Sequence, residues 1–311
     1  PLPGLSLEEN ILDAIDQKDY LLYAPYQDFS YVIKFLREAA LDPKVKSIKI
    51  TIYRLSEGSH IASALINAAK NGKKVLVQIE LQARFDEENN INFAEQLEAA
   101  GVQLIFGIPG LKVHSKICVI EREHRKKNRR YGFVSTGNFN ESTAKVYTDY
   151  TLFTSNQKIL KEVNKVFNFL EVSYKIKNYK HLIVSPHYTA SIISKLIENE
   201  IQNHKNGLPS GISLKLNNVT NYPLVDKLYE ASQAGVKIKM IVRGICCLIP
   251  GIKGLSENIT VVSVVDKFLE HARVLIFENA GKKKIYLSSA DFMTRNIENR
   301  IEVTCPVYDK E

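Results

Sequence analysis

The chain has 311 residues, 45% of them hydrophobic, enough apolar material for two ordinary cores, and this composition excludes a disordered or fibrous protein. Lysine and arginine number 42 against 34 acidic residues, a formal charge of +8. That excess favours an anionic partner: a polyanion, a nucleotide or an acidic lipid.

Cys118, Cys246, Cys247 and Cys305 lie in apolar runs without metal-ligand spacing. The expectation is buried free thiols in a reducing cytoplasm. The most apolar stretch, residues 238–249, is short and interrupted by Arg243, so no transmembrane segment is expected, and no signal peptide is visible. An opening Pro1 in place of Met, and a charged tail, lead to the expectation of a fragment of a longer protein.

Strand and helix patterns alternate throughout, which indicates an α/β protein. In chain order the pattern predicts a helix over 31–40, a strand over 46–53, a helix over 61–70 stopped by Asn71-Gly72, and a strand over 74–81. A helix over 91–100 and a strand over 102–106 follow. A hairpin is then expected, rising from Val113, turning through the basic residues 124–130 and returning over 131–135, with a helix over 157–170 behind it. From about Leu182 the order repeats: strand 183–185, helix 190–202, strand 212–216, helix 225–234, strand 237–242, and a hairpin from 272–277 through Gly281 to 285–288. The Lys-rich stretch 175–180 is the expected boundary, giving units 1–178 and 179–311.

The repeat extends to polar residues. Val113-His114-Ser115-Lys116-Ile117 answers Glu270-His271-Ala272-Arg273-Val274, and seven residues after each His stands a Glu, Glu121 or Glu278. Ser135-Thr136-Gly137-Asn138 closes the first hairpin and Ser288-Ser289-Ala290-Asp291 the second. Arg84 precedes His114 by 30 residues, and Arg243 precedes His271 by 28. Matches in the same order argue for a duplicated domain.

On a continuous strand, His114 and Lys116 would share one face, as would His271 and Arg273. Each half then offers an imidazole beside a cation, and facing halves would bring both imidazoles to one cleft. Turns centred near residues 126 and 281 would set His114 opposite Asn138 and His271 opposite Asp291. A neutral His is a competent nucleophile toward phosphorus, and the phosphoramidate it forms splits one transfer into two steps. Lys116, Arg273, Arg54, Arg84 and Arg243 would neutralise the phosphoryl oxygens, arginine binding them in two places. Each residue also has a plainer reading. A lone strand His is usually structural, Arg54 is a strand-end cation, Arg84 is a partner of Asp86 or Glu87, residues 124–130 form a solvated loop, and Asp291 is a turn cap. The duplication is what favours chemistry at His114 and His271.

With two H-x-K/R-x4-E segments, the chain resembles the phospholipase D superfamily, whose signature is H-x-K-x4-D in each half. Glu at 121 and 278, and Arg at 273, point to one branch of it. Through Tyr53-Arg54, Ala83-Arg84-Phe85-Asp86-Glu87-Glu88-Asn89, Ser135-Thr136-Gly137-Asn138-Phe139-Asn140-Glu141, Tyr147-Thr148-Asp149-Tyr150, Gly207-Leu208-Pro209-Ser210-Gly211, Val242-Arg243-Gly244 and Ser288-Ser289-Ala290-Asp291-Phe292-Met293-Thr294-Arg295-Asn296 it resembles the polyphosphate kinases. The resemblance implies two tandem phospholipase D-like domains, each a mixed β-sheet flanked by helices. It implies reversible transfer of the terminal phosphate of ATP to inorganic polyphosphate through a phosphohistidine. His114 matches the phosphorylated position and His271 the second active-site His. Tyr147, with Tyr150 as the fallback, and Arg243 match nucleotide contacts, while Lys116, Arg273, Asn138 and Asp291 are expected to bind nucleotide or phosphate.

Arg54 and Arg84 match positions assigned to magnesium. A guanidinium offers no lone pair, so contact through the phosphates that carry Mg2+ is the easier reading. The resemblance further implies N-terminal modules and terminal helical residues beyond this chain, a homo-oligomer in the full-length protein, no nucleic-acid partner, and a cytoplasmic setting, peripheral at the inner membrane. The rival readings are a phospholipase D-like phosphodiesterase or nuclease, and an inactive polyanion-binding fragment.

Overall fold

The structure, a computed structural model, describes residues 2–80, 87–172 and 177–309. It divides into two compact units, Pro1–His181 and Leu182–Glu311.

The first unit runs α1 (Ile11–Gln17), β1 (Tyr20–Ala24), α2 (Ser30–Leu41), β2 (Val45–Ile52), α3 (His60–Lys70), β3 (Lys74–Ile79), α4 (Glu87–Ala99), β4 (Gln103–Ile105), β5 (Lys112–Val113), β6 (Lys116–His124), β7 (Lys127–Ser135), β8 (Tyr147–Thr154) and α5 (Gln157–Glu171). Local chemistry sets these limits. Ser59 caps α3 by accepting from the Ile61 and Ala62 amides, and Gly72 (φ +78°) provides the left-handed residue that ends it. Helix α2 buries Tyr31, Val32, Phe35, Leu36 and Ala39, one face of a 3.6-residue repeat.

The second unit runs β9 (Ile183–Val184), α6 (Thr189–Lys205), β10 (Ile212–Leu216), α7 (Tyr222–Gln233), β11 (Ile238–Val242), β12 (Ile259–Val262), β13 (Leu269–Glu270), β14 (Arg273–Phe277), β15 (Lys284–Ser288), α8 (Thr294–Glu298), β16 (Arg300–Ile301) and β17 (Val303–Pro306).

The sheets repeat strand for strand. The first has the order β1-β8-β7-β6-β2-β3-β4, and the second, read from its other edge, β9-β17-β15-β14-β10-β11-β12. In each, three strands are parallel (β2, β3, β4; β10, β11, β12) and the rest pair antiparallel. Registers match as well. Ile50 lies across from Cys118, as Leu214 does from Leu275, and Lys116 across from Ser135, as Arg273 does from Ser288.

One face of the first sheet sends Ile48, Ile50, Ile52, Val77 and Phe133 into the core beneath the helices. On the other, Ile117 and Val119 are buried, and α5 approaches so closely that a Cβ on Gly132 would stand 2.9 Å from Leu160 Cδ2. In the second unit the equivalent residues, Val274 and Ile276, are half-buried and line a shallow groove of about 460 Å³ with Ile241 and Val262.

Several expectations need correction. The strand expected from Val113 is broken: His114 and Ser115 are irregular, and β6 begins at Lys116. The basic stretch 124–130 is no loop. Only Arg125 and Lys126, both at positive φ, form the turn, and Arg129 and Arg130 sit on β7 paired with Asp16 (3.1 Å) and Glu121 (3.0 Å). Of the cysteines, Cys118 and Cys305 are buried, but Cys246 is half-buried and Cys247 exposed. The reason is that β11 ends at Val242, so the apolar run after it crosses the surface. Strands β1, β8, β12 and β17 carry no signal that the sequence reading used. Among the described residues no helix is long and apolar enough to cross a membrane.

Gly132 generates a direct test. A Cβ there would lie 2.2 Å from the Cys118 carbonyl oxygen as well as against Leu160. Gly132→Ala is expected to destabilise the first unit by about 1–3 kcal/mol through overpacking, read as a lower denaturant midpoint.

Candidate active site

Both units gather their polar residues at the same edge, beyond the C-terminal ends of the parallel strands, where ligands of open α/β sheets bind. In the first unit β2 delivers Tyr53 and Arg54, and β6 begins there with His114 and Lys116 just before or at its start. Thr51 makes the strand break possible. Its hydroxyl donates to the Ser115 carbonyl (2.7 Å) and accepts from the Ile117 amide (3.1 Å), replacing ladder bonds. Lys116 is 2% exposed, and its ammonium donates to the His114 carbonyl. The half-buried His114 ring meets Tyr53 edge to face, centroids 5.4 Å apart, and Lys116 Nζ and Arg54 Cζ lie 5.7 and 5.8 Å from the same Tyr53 ring.

In the second unit Lys215 holds the place of Thr51 and donates to the Ala272 carbonyl (3.2 Å). Arg273 holds that of Lys116. It is 4% exposed and grips Asp291 with two nitrogens, Nε to Oδ1 at 3.1 Å and Nη2 to Oδ2 at 3.3 Å. Asp291 also accepts from the Asn217 amide (2.8 Å) and the Asn218 side chain (3.5 Å). Arg243, at the end of β11, donates through Nε to Asn217 Oδ1 (2.6 Å).

The Ser-Thr-Gly-Asn and Ser-Ser-Ala-Asp strings form one repeated device. Ser135 Oγ accepts from the Gly137 amide and the Thr151 hydroxyl. Ser288 Oγ accepts from the Ala290 amide and meets Thr304 Oγ1 at 2.6 Å. Thr136 donates to Asp149 and Ser289 to Glu302, and each hydroxyl accepts the amide of the residue after that acid, Tyr150 or Val303. These strings stitch the hairpin to the next strand.

The expected cross-strand pairs shift by one residue in both units. The ladders end at Lys116–Ser135 and Arg273–Ser288, so neither Asn138 nor Asp291 is paired with a His. Asp291 engages Arg273 instead, and the equivalent Asn138 has a buried Oδ1 without a hydrogen-bond partner among the described residues. Glu121 and Glu278 lie at the far ends of the hairpins, paired with Arg130 (3.0 Å) and Lys283 (3.3 Å). Tyr147 opens β8, half-buried, and Tyr150 on the same strand stacks on Tyr23 (4.4 Å, 14°). Arg84 lies outside the described residues. Sequence reasoning missed Thr51, Lys215, Asn217 and Asn218. Their one signal was position, at or just beyond the end of the first parallel strand of each half.

Among the described residues no group of three His, Cys, Asp or Glu is placed to hold a metal ion. Arg54 does not fit as a ligand, since a guanidinium is always protonated and has no lone pair.

The fold and the doubled motif define the class: two tandem units of phospholipase D-like architecture. A yeast tyrosyl-DNA phosphodiesterase structure matches 91% of this chain and 88% of its own with a TM-score of 0.52 at 8% identity, a likeness of fold alone. Residues 10–176 match polyphosphate kinase C-terminal domain 1, and residues 182–311 match polyphosphate kinase C-terminal domain 2. The polyphosphate kinase of Escherichia coli K12 is 52% identical over 300 residues, covering 96% of this chain and 44% of that protein. That of Vibrio parahaemolyticus is 51% identical over 314 residues, 99% of this chain and 45% of the relative. The crystal structure of the Porphyromonas gingivalis polyphosphate kinase matches all of this chain and 51% of its own at 42% identity, with a TM-score of 0.89. The chain belongs to the polyphosphate kinase family, and it spans less than half the length of the curated relatives it matches.

The buried pair sets a prediction. Burial pushes the Asp291 carboxyl up, but the charge and hydrogen bonds of Arg273, with the donors of Asn217 and Asn218, outweigh it and hold the group below its ordinary value. A depressed native value contributes stability above the unfolded carboxylate's range and loses it as pH falls through the native one. Asp291→Ala is expected to cost about 3–5 kcal/mol at pH 7, because it strands a buried guanidinium. The gap to wild type in urea midpoint should narrow as pH falls below about 4.

Proposed function

We propose that this chain carries the phosphoryl-transfer centre of a polyphosphate kinase, moving the terminal phosphate of ATP to inorganic polyphosphate and back through a phosphohistidine at His114. The single observation that carries the reading is a His-x-Lys/Arg motif at the same strand end in both units of a chain about half identical to curated polyphosphate kinases. A neutral imidazole nitrogen attacks the terminal phosphorus, the bond to the ADP oxygen breaks, and the phosphoramidate then passes its phosphoryl group to the polyphosphate end. Lys116 and Arg54, gathered around the Tyr53 ring with His114, are suited to offset charge on the transferring oxygens. His271 serves as the second imidazole, protonating or stabilising the leaving or attacking oxygen. Arg243 and Tyr147 contact the nucleotide. Arg273 and Asp291 form the frame of the second half, and in the first half Asn138 Oδ1, without a hydrogen-bond partner among the described residues, supports a polar ligand or water. Magnesium enters as part of the nucleotide substrate, with Arg54 and Arg84 addressing the phosphates that carry it. The proposal includes a cytoplasmic protein, peripheral at the inner membrane and homo-oligomeric at full length. The buried cysteines Cys118 and Cys305 are in keeping with a reducing compartment.

The test uses a protein of the relatives' full length. Incubated with ATP labelled in its terminal phosphate, the wild type is expected to acquire an acid-labile, base-stable phosphoryl label as ADP is released, and to pass that label on when polyphosphate is added. His114→Ala should abolish the label. Label at the wild-type level in that variant would sink the assignment, and cleavage of a phosphodiester without ADP release would favour a phosphodiesterase.

Arg54 supplies a second measurement. Arg54→Ala is expected to lower turnover by about 10²-fold or more if its charge acts in a dry site. Arg54→Lys should rescue only part of this, lacking the two-pronged contact. Polyphosphate affinity should fall steeply with added salt.

A further inference from the structure

The residue directly after the first parallel strand stands against the motif segment in both units. In the first unit it is Tyr53, whose ring packs on the His114 imidazole. In the second it is Asn217, by the register that sets Ile50 opposite Cys118 and Leu214 opposite Leu275. Asn217 is 1% exposed. Its main chain is committed at both ends, the N–H donating to Asp291 Oδ1 (2.8 Å) and the carbonyl accepting from the Gly244 amide (2.8 Å). Its side-chain amide is committed at both ends too: Oδ1 accepts from Arg243 Nε (2.6 Å), and Nδ2 donates to the His271 carbonyl (3.0 Å).

That pattern requires an amide. One end must accept from a cation and the other must donate to a carbonyl, and among short side chains only Asn has both ends in one rigid plane. Aspartate would turn a carboxylate oxygen toward the His271 carbonyl, beside Asp291. Leucine would leave the Arg243 Nε–H and the carbonyl without this partner. Holding Arg243 through Nε, the nitrogen nearest its backbone, also fixes the plane in which its two Nη groups lie. A guanidinium fixed in plane loses less freedom when it meets a phosphate.

We propose that Asn217 is a positioning residue: it ties Arg243 to the His271 segment so that cation and imidazole are presented in one fixed relation to the phosphates. The inference rests on the proposed roles of Arg243 and His271 in phosphoryl transfer. Asn217 itself touches no reacting atom, so its contribution is orientation, which a misplacement of about 1 Å can reduce by roughly 10²-fold.

The experiment is a double-mutant cycle in the full-length protein, with kcat and KM for Mg-ATP measured per folded molecule. Asn217→Ala is expected to lower kcat about 10- to 100-fold, with KM changed less than about threefold. Arg243→Ala should lower activity by at least as much, and adding Asn217→Ala to it should cost little more. Asn217→Gln, which keeps the amide on a longer stem, should recover part of the loss. Wild-type kcat in Asn217→Ala would overturn the proposal, as would a loss that multiplies undiminished onto Arg243→Ala. A residue that merely fills space would lower melting temperature and leave kcat per folded molecule unchanged. If Asn217→Ala does not fold, Asn217→Ser takes its place in the cycle, too short to bridge both partners. Wild-type activity in Arg243→Ala would instead strike at the functional reading, so the two failures are told apart.

Discussion

A cation buried at the head of the central hairpin is the constraint on which both units are built. Removing an ammonium or guanidinium from water costs several kcal/mol unless fixed oxygens replace the hydration shell. Lys116 and Arg273 are both almost wholly buried, each at the first ladder position of its strand. The chain before them therefore leaves the strand, turning the His114 carbonyl onto Lys116 and the His271 carbonyl toward Arg273 (3.5 Å), which Asp291 meets from the segment after β15. Thr51 and Lys215 take up the carbonyls that this break removes from the ladder, at Ser115 and Ala272. The half-buried position of each His follows from the burial of its neighbour.

The two units meet the same demand with different chemistry. A lysine has one compact nitrogen, which a backbone carbonyl can address. A guanidinium has a planar fork, and Asp291 matches it with two oxygens. The difference propagates outward. Asp291 needs donors of its own and takes them from Asn217 and Asn218, where the first unit has Tyr53 and Arg54. The frame residue beside His114 is thus an aromatic ring among cations, and the one beside His271 is an amide relay. Identical strand order therefore carries two unlike environments.

The duplication was legible in the sequence because its marks are chemical: His, Lys or Arg, Ser and Arg recur in order. The long helices were legible through apolar periodicity and stops such as Asn71-Gly72. The register was not. It hinges on a two-residue turn at Arg125 and Lys126, both with positive φ, where Asn-Gly would have been the usual signal. A basic pair reads as solvent-exposed loop, and the error displaced every cross-strand partner by one. The strand break at His114 carries no Gly or Pro because a tertiary contact, the Thr51 hydroxyl, makes it. Asn217 escaped notice because its partners come from β11 and from the segment before β14, distant in sequence.

The acids of the repeated signature show what such spacing encodes. Glu121 lies five residues beyond Lys116 along one strand, about 16 Å at the usual rise. It therefore has no place at the His end. It sits in the ladder pair with Arg130 and bonds to it across the strands, close to the turn. Glu278 similarly pairs with Lys283 across the base of the second loop. Opposite charges facing across a ladder favour one register and oppose its neighbours. A register slip of one residue would reverse the faces on which Lys116 and Arg273 lie and move both cations out of their buried places. The acid at the turn end thus helps fix the geometry at the His end without touching it. Aspartate or glutamate can serve in that role, because the demand is for a negative charge within reach of a cross-strand cation.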